Sequence, residues 1–336
     1  MARETVSRLV FPGTLRAELE QIDVDLDNLG PHEVVVRAKR SVISPGTELA
    51  HYRGDNRSGP LRHAVRPGQP FFPGYAMVGT VIAAGADAGF VEGTDVLSHT
   101  PHQSVARVDC RQRVCVPVPP GLAAEVAPFA RLAQVGGVSL QLADARPGDT
   151  VAVIGLGPVG NLVAQLAQAS GYRVIAVERS VARRRVARAT GLKSVVSPEE
   201  AGDGHVAAGT RLVLECSGSA AAVALATEIC SPHGQVMTVG APWRAEPEVA
   251  ASLIIGHVFE RFLSLRSGWE WQVPLYGDRS VAACTAWVLD RLADGSIETA
   301  PLTSGTVTPD AAASAYRMLA GDPEHHMTFV LDWEKG

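Results

Sequence analysis

The sequence predicts an α/β protein in two parts, a small β-barrel followed by a doubly wound parallel sheet. Three observations predict it. Short apolar runs broken by Pro–Gly pairs fill the first third of the chain, as in barrels built from short strands. From about residue 123, strands alternate with helical stretches, the pattern of a parallel sheet. Within that second part, Val151-Ala152-Val153-Ile154 runs into Gly155-Leu156-Gly157-Pro158-Val159-Gly160, a buried strand ending in glycines at G-x-G-x-x-G spacing.

The elements follow in order. Val34–Ala38, Val78–Ala83, Val105–Val108 and Val114–Val116 read as strands, separated by Pro45-Gly46, Pro67-Gly68, Pro73-Gly74 and Pro117-Val118-Pro119-Pro120-Gly121. Residues 52 to 72 are irregular and carry Arg53, Arg57, Arg62, His63 and Arg66, a connection long enough to be disordered or a functional lid. Helices are expected over roughly 123–144 and 159–170, where Val159, Leu162, Val163 and Leu166 share a face and Gly171 ends the run. Another helix begins near Ser180. Strands Val174–Val177, Leu212–Cys216, Gln235–Val239 and Phe262–Leu265 complete the sheet. A helix over Ser280–Ala293, one around Asp310–Leu319 and a strand Thr328–Trp333 form a tail too short to fold alone, expected to return to the first part. The domain boundaries read as 1–122, 123–290 and 291–336.

Composition excludes several function classes. Of 336 residues, 46% are hydrophobic and 19% charged, enough to bury a sizeable core. A net charge of −5 gives no electrostatic footprint for nucleic acid or an anionic membrane. The five cysteines are odd in number and scattered, which fits a reducing compartment rather than a disulfide framework. Cys110 and Cys115 stand too far apart, on strand positions, and read as packed thiols. Met1-Ala2-Arg3-Glu4-Thr5 lacks the apolar run of a signal peptide and no apolar stretch is long enough to span a bilayer, so the expected location is the cytoplasm.

The glycine motif has a physical reading. Gly155 makes the tight turn, Gly157 lets backbone approach a pyrophosphate, and Gly160 lets helix and strand pack closely. Pro158 and Val159 open a helix whose free N–H groups and dipole favour phosphate. Glu178 ends the next strand, 23 residues after Gly155, near where an acidic residue binds the adenosine ribose. A carboxylate there accepts from both ribose hydroxyls and repels a 2′-phosphate, which favours NAD. Arg179, Ser180, Arg183 and Arg184 stand against it: they either gather around a phosphate, making the cofactor NADP, or form an exposed basic helix face.

Ile43-Ser44-Pro45-Gly46-Thr47-Glu48, Pro73-Gly74-Tyr75-Ala76-Met77-Val78-Gly79, Pro147-Gly148-Asp149-Thr150-Val151, the glycine motif, Glu215-Cys216-Ser217-Gly218 and Val239-Gly240 occur in one collinear series. In this the chain resembles the medium-chain dehydrogenase/reductase superfamily along almost its full length. The resemblance implies a GroES-like β-barrel catalytic domain, an inserted Rossmann domain, a nicotinamide cofactor in the cleft between them with Ser217 and Gly240 beside it, and a homodimer through the edge strand Phe262–Arg266. It also exposes a departure. Where zinc-dependent members carry their three ligands, this chain has Pro45, Tyr75 and Ala130, with Ala76 in place of the accompanying glutamate. The four-cysteine lobe for structural zinc is absent. Zn²⁺ needs three or four Cys, His or carboxylate ligands, so no metal is expected. Ser-Pro-Gly-Thr-Glu with Pro-Gly-Tyr is similar to a branch that includes bacteriochlorophyllide and antibiotic-pathway dehydrogenases.

Without a metal, the oxygen on the carbon that gains or loses hydride needs another source of charge relief. Tyr75 either donates from its phenol or fills the vacated space. Glu48 either orients a donor or forms an ion pair with an arginine. Thr47 matches a proton-relaying hydroxyl or makes a turn hydrogen bond. His99 follows the strand Asp95-Val96-Leu97 where the family lines its substrate pocket, and histidine titrates in the useful range. His51 stands one residue out of register with the family's relay histidine, His102 reads as loop framework, and His325-His326 either approach the pyrophosphate or are solvated. The leading function is an NAD(P)-dependent alcohol or ketone oxidoreductase acting on a polar, sugar- or cyclitol-like metabolite of a biosynthetic pathway. Polarity is inferred only from the Arg- and His-bearing loop. Reduction of a conjugated C=C bond, which needs no metal, is the alternative. A non-catalytic nucleotide-binding module is a third, disfavoured by the intact glycine motif.

Overall fold

The computed structural model describes residues 3–55, 69–203 and 209–335. Arg57, Arg62, His63 and Arg66 of the long connection lie outside them. The first part contains β1 (Arg3–Gly13), β2 (Arg16–Asp25), β3 (Glu33–Val42), α1 (Pro45–Arg53), β4 (Met77–Ala84), β5 (Asp95–Ser98), β6 (Val105–Asp109) and β7 (Cys115–Pro117). The second holds α2 (Phe129–Leu142), β8 (Thr150–Ile154), α3 (Pro158–Ala169), β9 (Arg173–Val177), α4 (Val181–Ala189), β10 (Val195–Val196), α5 (Pro198–Gly202), β11 (Thr210–Glu215), α6 (Ala220–Ile229), β12 (Gln235–Thr238), α7 (Ala251–Glu260), β13 (Ser264–Ser267) and α8 (Val281–Ala293). The tail adds β14 (Thr303–Val307), α9 (Ala312–Gly321) and β15 (Thr328–Asp332).

β3 is the axis of the barrel domain. Val34, Val35 and Val36 are fully buried, which a β-branched run achieves only when both faces of the strand are covered. β3 pairs antiparallel with β4 on one side; on the other, its first half pairs with β6 and its second with β15. The tail therefore closes on the first part, Val330 opposite Val42. β5 and β7 extend the sheet beyond β4, and β14 extends it beyond β15. The β1–β2 hairpin joins through bridges Arg8–Gln103 and Phe11–Phe71. No helix among the described residues is long and apolar enough to cross a membrane.

The second sheet is parallel throughout, in the order β10-β9-β8-β11-β12-β13. Its strand order reverses direction between β8 and β11, the point at which doubly wound sheets open a crevice at their carboxyl ends. α2, α3 and α8 pack on one face, with Val138, Leu162, Leu166, Cys284 and Val288 in a common core with Val151 and Val153. Ala152, Ile154, Val213 and Val236 face the opposite core with Ala226 and Ile229 of α6.

Several local expectations change. Pro45-Gly46, read as a turn, opens α1: proline at N1 has no N–H to lose and its fixed φ suits a first turn. The helix expected from 123 begins at Phe129, after hydrogen-bonded turns. The hairpin β1–β2, strand β14 and helix α7 have no counterpart in the sequence reading. Cys110 and Cys115, expected to stand too far apart to share a ligand, flank the β6–β7 turn closely enough to affect each other: the neighbouring thiol holds the Cys110 pKa down, and it and burial push that of Cys115 up.

Candidate active site

β8 delivers the glycine motif to the switch point. Gly155 takes φ 86° and donates its N–H to Val177 O at 2.9 Å, turning the chain away from the strand. A Cβ at Gly160 would lie 1.8 Å from Gly155 O, so only glycine lets α3 sit this close to β8. Gly157 caps α3, and a Cβ there would meet nothing nearer than Arg183 Nη1 at 3.8 Å. Its backbone thus faces open space, as a cradle for phosphate must. The open space is a cleft of about 750 Å³ between the two domains. Gly155, Gly157, Pro158, Val159, Gly160, Glu178, Arg179, Arg183 and Ser217 all line it; Gly240 does not. Gly240 instead backs the turn at Gly218, whose amide nitrogen a Cβ would meet at 2.2 Å.

Glu178 is 5% exposed, and both its oxygens are engaged: one accepts from Leu156 N–H at 2.7 Å, the other from Ser180 N–H at 2.9 Å. The carboxylate therefore holds the glycine loop to the start of α4, and its remaining lone pairs are free for hydroxyls. Arg184 donates to the Glu178 and Arg179 carbonyls at 2.7 and 2.8 Å and is structural. Arg183 reaches across the cleft to Pro323 O at 2.6 Å. His326 also lines the cleft, whereas its neighbour His325 is exposed and paired with Asp322 at 2.9 Å. At the end of β11, buried Glu215 accepts from the N–H groups of Ser217 at 2.6 Å and Gly218 at 3.1 Å, fixing the turn that carries Ser217. Burial raises the Glu215 pKa.

On the barrel side, Ser44 and Pro45 line the same cleft. The Ser44 hydroxyl is in a short hydrogen bond with the Tyr75 phenol. Burial raises the Tyr75 pKa, opposed in part by Arg131, whose guanidinium lies 4.5 Å from the ring centroid. Arg131 is 3% exposed; it donates to Gln134 Oε1 at 2.8 Å and forms an ion pair with buried Glu270 at 2.8 Å. The sequence reading missed Ser44, Arg131, Gln134 and Glu270. A signal for Arg131 existed, because it is the one charged residue in the apolar helix Phe129–Leu142. His99 lies nearby, 5% exposed, its ring edge-on to Trp271 at 6.3 Å. Burial, then the charges of Arg131 and Arg113, press its pKa well below the usual imidazole range, so its ring is neutral.

None of the four residues offered for catalysis, Tyr75, Glu48, Thr47 and His99, is among the residues lining the cleft, which Tyr75 meets only through Ser44. Glu48 is fully buried, accepting from Ser44 N–H at 2.8 Å, from the Tyr316 hydroxyl in a short bond, and from His102 Nε2 at 3.2 Å. Its partners are thus a tyrosine and a histidine rather than an arginine. His102 Nδ1 accepts from Ser41, which in turn accepts from Trp333 Nε1 at 2.9 Å. Thr47 is half-buried on the first turn of α1. His51 stacks on Phe71 at 3.6 Å, its pKa lowered by burial to about 4.

Pro45 and Ala130, expected with Tyr75 where the resembled family carries zinc ligands, each neighbour in sequence a residue that meets Tyr75: Ser44 and Arg131, respectively. A proline, a phenol and a methyl group do not form a zinc ligand set, and a cation lies over the ring. Among the described residues, no three His, Cys, Asp or Glu are gathered closely enough to hold a metal.

The glycine loop, at a parallel-sheet switch point, faces the barrel across the cleft. Residues 158–268 match the family model described as zinc-binding dehydrogenase; that stretch includes neither Pro45 nor Tyr75. A 2-dehydro-3-deoxy-L-galactonate 5-dehydrogenase from Pseudoalteromonas atlantica is 27% identical over 185 residues, 53% of this chain and 50% of the relative. The chain thus spans about half the length of that relative. Among solved structures, L-idonate 5-dehydrogenase from Escherichia coli superposes with TM-score 0.80 at 17% identity, covering 98% of this chain and 99% of that one. Galactitol-1-phosphate dehydrogenase from Escherichia coli gives 0.81 at 17% identity, over 97% and 99%. The shared fold extends over nearly the whole chain, while the family model matches only residues 158–268.

Proposed function

We propose that this protein is a zinc-independent, NAD(P)-dependent oxidoreductase that moves hydride between nicotinamide and the alcohol or ketone carbon of a polar metabolite. One observation carries the reading: Ser44 lines the cleft of the glycine loop while its hydroxyl is bonded to the Tyr75 phenol. A dinucleotide, when bound, would supply or accept the hydride. The glycine loop and the α3 N-terminus would hold its pyrophosphate with Arg183 beside Gly157, and Glu178 would take the ribose hydroxyls. That last contact favours NAD; Arg179 at the rim is the residue that would serve NADP.

Ser44 and Tyr75 supply the proton. In the reducing direction, Ser44 Oγ–H donates to the oxygen on the reacting carbon as negative charge develops there, and the Tyr75 phenol returns a proton to Ser44. Burial keeps the phenol protonated until the step begins, and Arg131 over the ring offsets the phenolate that forms. Glu48 fixes the Ser44 amide, and so the position of the hydroxyl, from behind. The names of relatives, which act on sugar acids and polyol phosphates, support a polyhydroxylated substrate.

The test is single-turnover hydride transfer on secondary alcohols and ketones, with and without chelator. Retention of the rate in chelator and its loss in both Tyr75→Phe and Ser44→Ala are expected. Stoichiometric zinc required for turnover would overturn the metal-free reading. Reduction of a conjugated enone with no carbonyl or alcohol turned over would replace the reaction itself.

A further inference from the structure

Arg131 is the one charged residue of α2, in its first turn and 3% exposed. A charge so buried needs a partner close by. Glu270 provides it: its carboxylate, itself buried, lies 2.8 Å from Arg131 Nη2, while Gln134 Oε1 takes Nη1 at 2.8 Å. The turn Glu270–Gln272 that carries the carboxylate is tied down on both sides. Gly268 N–H donates to Thr238 O at 2.8 Å, its carbonyl accepts from the Ser139 hydroxyl of α2 at 3.2 Å, and a Cβ at Gly268 would meet Val239 Cγ2 at 2.8 Å. At the other end, the Tyr276 hydroxyl donates to Arg113 O at 2.8 Å and accepts from Cys115 N–H at 3.0 Å. The acid thus reaches the arginine from a backbone anchored to α2 and to the barrel.

Apolar residues of the same volume would serve stability as well as a buried ion pair. What this pair faces is the Tyr75 ring, whose centroid lies 4.5 Å from the Arg131 guanidinium carbon. The phenol of that ring bonds to Ser44, which lines the cleft. The charges that bear on the phenol are Arg131 of α2, Glu48 of α1 and Glu270. Burial raises its pKa most, and Glu48 and Glu270 raise it further, while Arg131 and the Ser44 hydrogen bond pull it down. Arg113, a further cation on this side, acts on His99. A lone guanidinium against a buried phenol favours the phenolate and draws the proton off before any reaction. With Glu270 beside it, the same guanidinium remains in place to stabilise a phenolate formed during the step, without making the resting phenol acidic.

Resting on the Ser44–Tyr75 reading above, we propose that Glu270 is a positioning residue of the reaction: it holds Arg131 over the Tyr75 ring and balances its charge, so that the phenol remains a proton donor until hydride moves. In reduction, hydride adds to the carbonyl carbon, Ser44 passes its proton to the carbonyl oxygen, and Tyr75 passes its own to Ser44; the phenolate left behind is reprotonated from solvent. In oxidation each transfer runs backwards, and the phenolate must form first.

The test is Glu270→Gln, which keeps an oxygen for Arg131 and removes the negative charge. Single-turnover ketone reduction should be independent of pH from about pH 7 to about pH 9.5 in the wild type, below the ordinary tyrosine range. In the variant it should fall within that range, its basic limb lowered by about one pH unit or more. Alcohol oxidation at about pH 7, which needs the phenolate, should be about threefold faster in the variant, a gain that a merely structural residue does not give. Without cofactor, the ultraviolet absorbance of tyrosinate should show one tyrosine ionising at lower pH in Glu270→Gln than in the wild type, and not in Glu270→Gln combined with Tyr75→Phe. Where the single variant fails to fold, Arg131→Met with Glu270→Leu leaves no unbalanced charge: its phenol should stay protonated across the range, and its reduction should be about tenfold slower because nothing then offsets the phenolate. Both directions slowed with the pH profile unmoved would overturn the inference, as would a tyrosinate titration that Glu270→Gln leaves in place or a double variant with the wild-type rate. If Tyr75→Phe abolishes hydride transfer while these outcomes fail, this inference alone has failed. If Tyr75→Phe keeps full hydride transfer, the Ser44–Tyr75 reading has failed beneath it.

Discussion

Tyr75 is legible as a candidate because it stands where a ligand is missing; Ser44 is not, because a serine before Pro–Gly reads as turn. The structure joins the two, and their prediction is joint. Losing an oxyanion-type donor costs about 10²–10³ in kcat, so Tyr75→Phe and Ser44→Ala should each depress single-turnover hydride transfer on that scale, with NADH affinity nearly constant. The double variant should be little worse than either single one if they form one relay, which a double-mutant cycle on the rate measures. Spacing alone nominates Glu178, but its hold on Leu156 N–H is not visible there, because a glycine loop's backbone donors cannot be located from sequence. Glu178→Gln keeps an acceptor for that amide and removes the charge. Fluorescence titration should show the NADPH-to-NADH affinity ratio rising about tenfold, equivalent to about 1.4 kcal/mol; no change would remove Glu178 from cofactor choice. His99 adds a pH dependence. Its folded pKa lies below the unfolded value, so below about pH 6.5 the unfolded state binds the extra proton and stability falls with pH. His51, held at about 4, acts with the same sign. Chemical denaturation at pH 7.5 and pH 5 should therefore show a smaller loss for His99→Phe than for the wild type.

At the scale of elements, two helices decide the barrel side of the cleft. α1 is anchored at its first turn by Glu48, whose carboxylate reaches Tyr316 of α9 and His102 of the β5–β6 connection. α9 of the returning tail thus fixes the element that presents Ser44. Sequence reading missed this because the three partners are 54 and 268 residues from Glu48 for His102 and Tyr316, and only 4 for Ser44; pairing across such separations follows from topology, not local pattern. The parallel sheet was legible because each strand is a self-contained apolar run. The β1–β2 hairpin was not, since polar residues alternate through Arg16–Asp25 and leave β2 half-exposed. α2 carries Arg131 into the core, where Glu270 from the turn after β13 meets it. Removing one member of a buried ion pair costs about 3–5 kcal/mol because the survivor stays charged and dry. Glu270→Ala should lower stability by that amount in urea unfolding, and Arg131→Met with Glu270→Leu should recover much of it. Recovery of stability without recovery of turnover would show that the pair is kept for the site.

At the scale of the molecule, the parallel sheet ends on one side in β13, which pairs only with β12 among the described strands. An edge strand with open N–H and C=O groups is a template for another chain unless charge, bulge or cover protects it. Here the surroundings are apolar: Leu265 on the strand is 41% exposed, Phe262 just before it 69%, and Phe259 at the end of α7 84%. The whole of α7, Ala251–Glu260, buries no residue within the chain although Leu253 and Ile255 are apolar. An exposed apolar patch of this kind marks an interaction surface. The occupant that fits without any other partner is a second copy of the same chain, since a two-fold axis beside the edge pairs β13 with its own counterpart and brings each Phe262 near the other. The expected homodimer uses a strand that the family resemblance had already nominated, whereas α7 enters only with the structure. Sedimentation velocity at micromolar concentration should show a dimer for the wild type. Leu265→Lys combined with Phe262→Asp, which places charge on both the strand and its approach, should give a monomer that retains cofactor binding, because β13 lies two strands away from the switch point. A wild-type monomer, or a variant that stays dimeric, would move the interface elsewhere and leave the α7 face without an occupant.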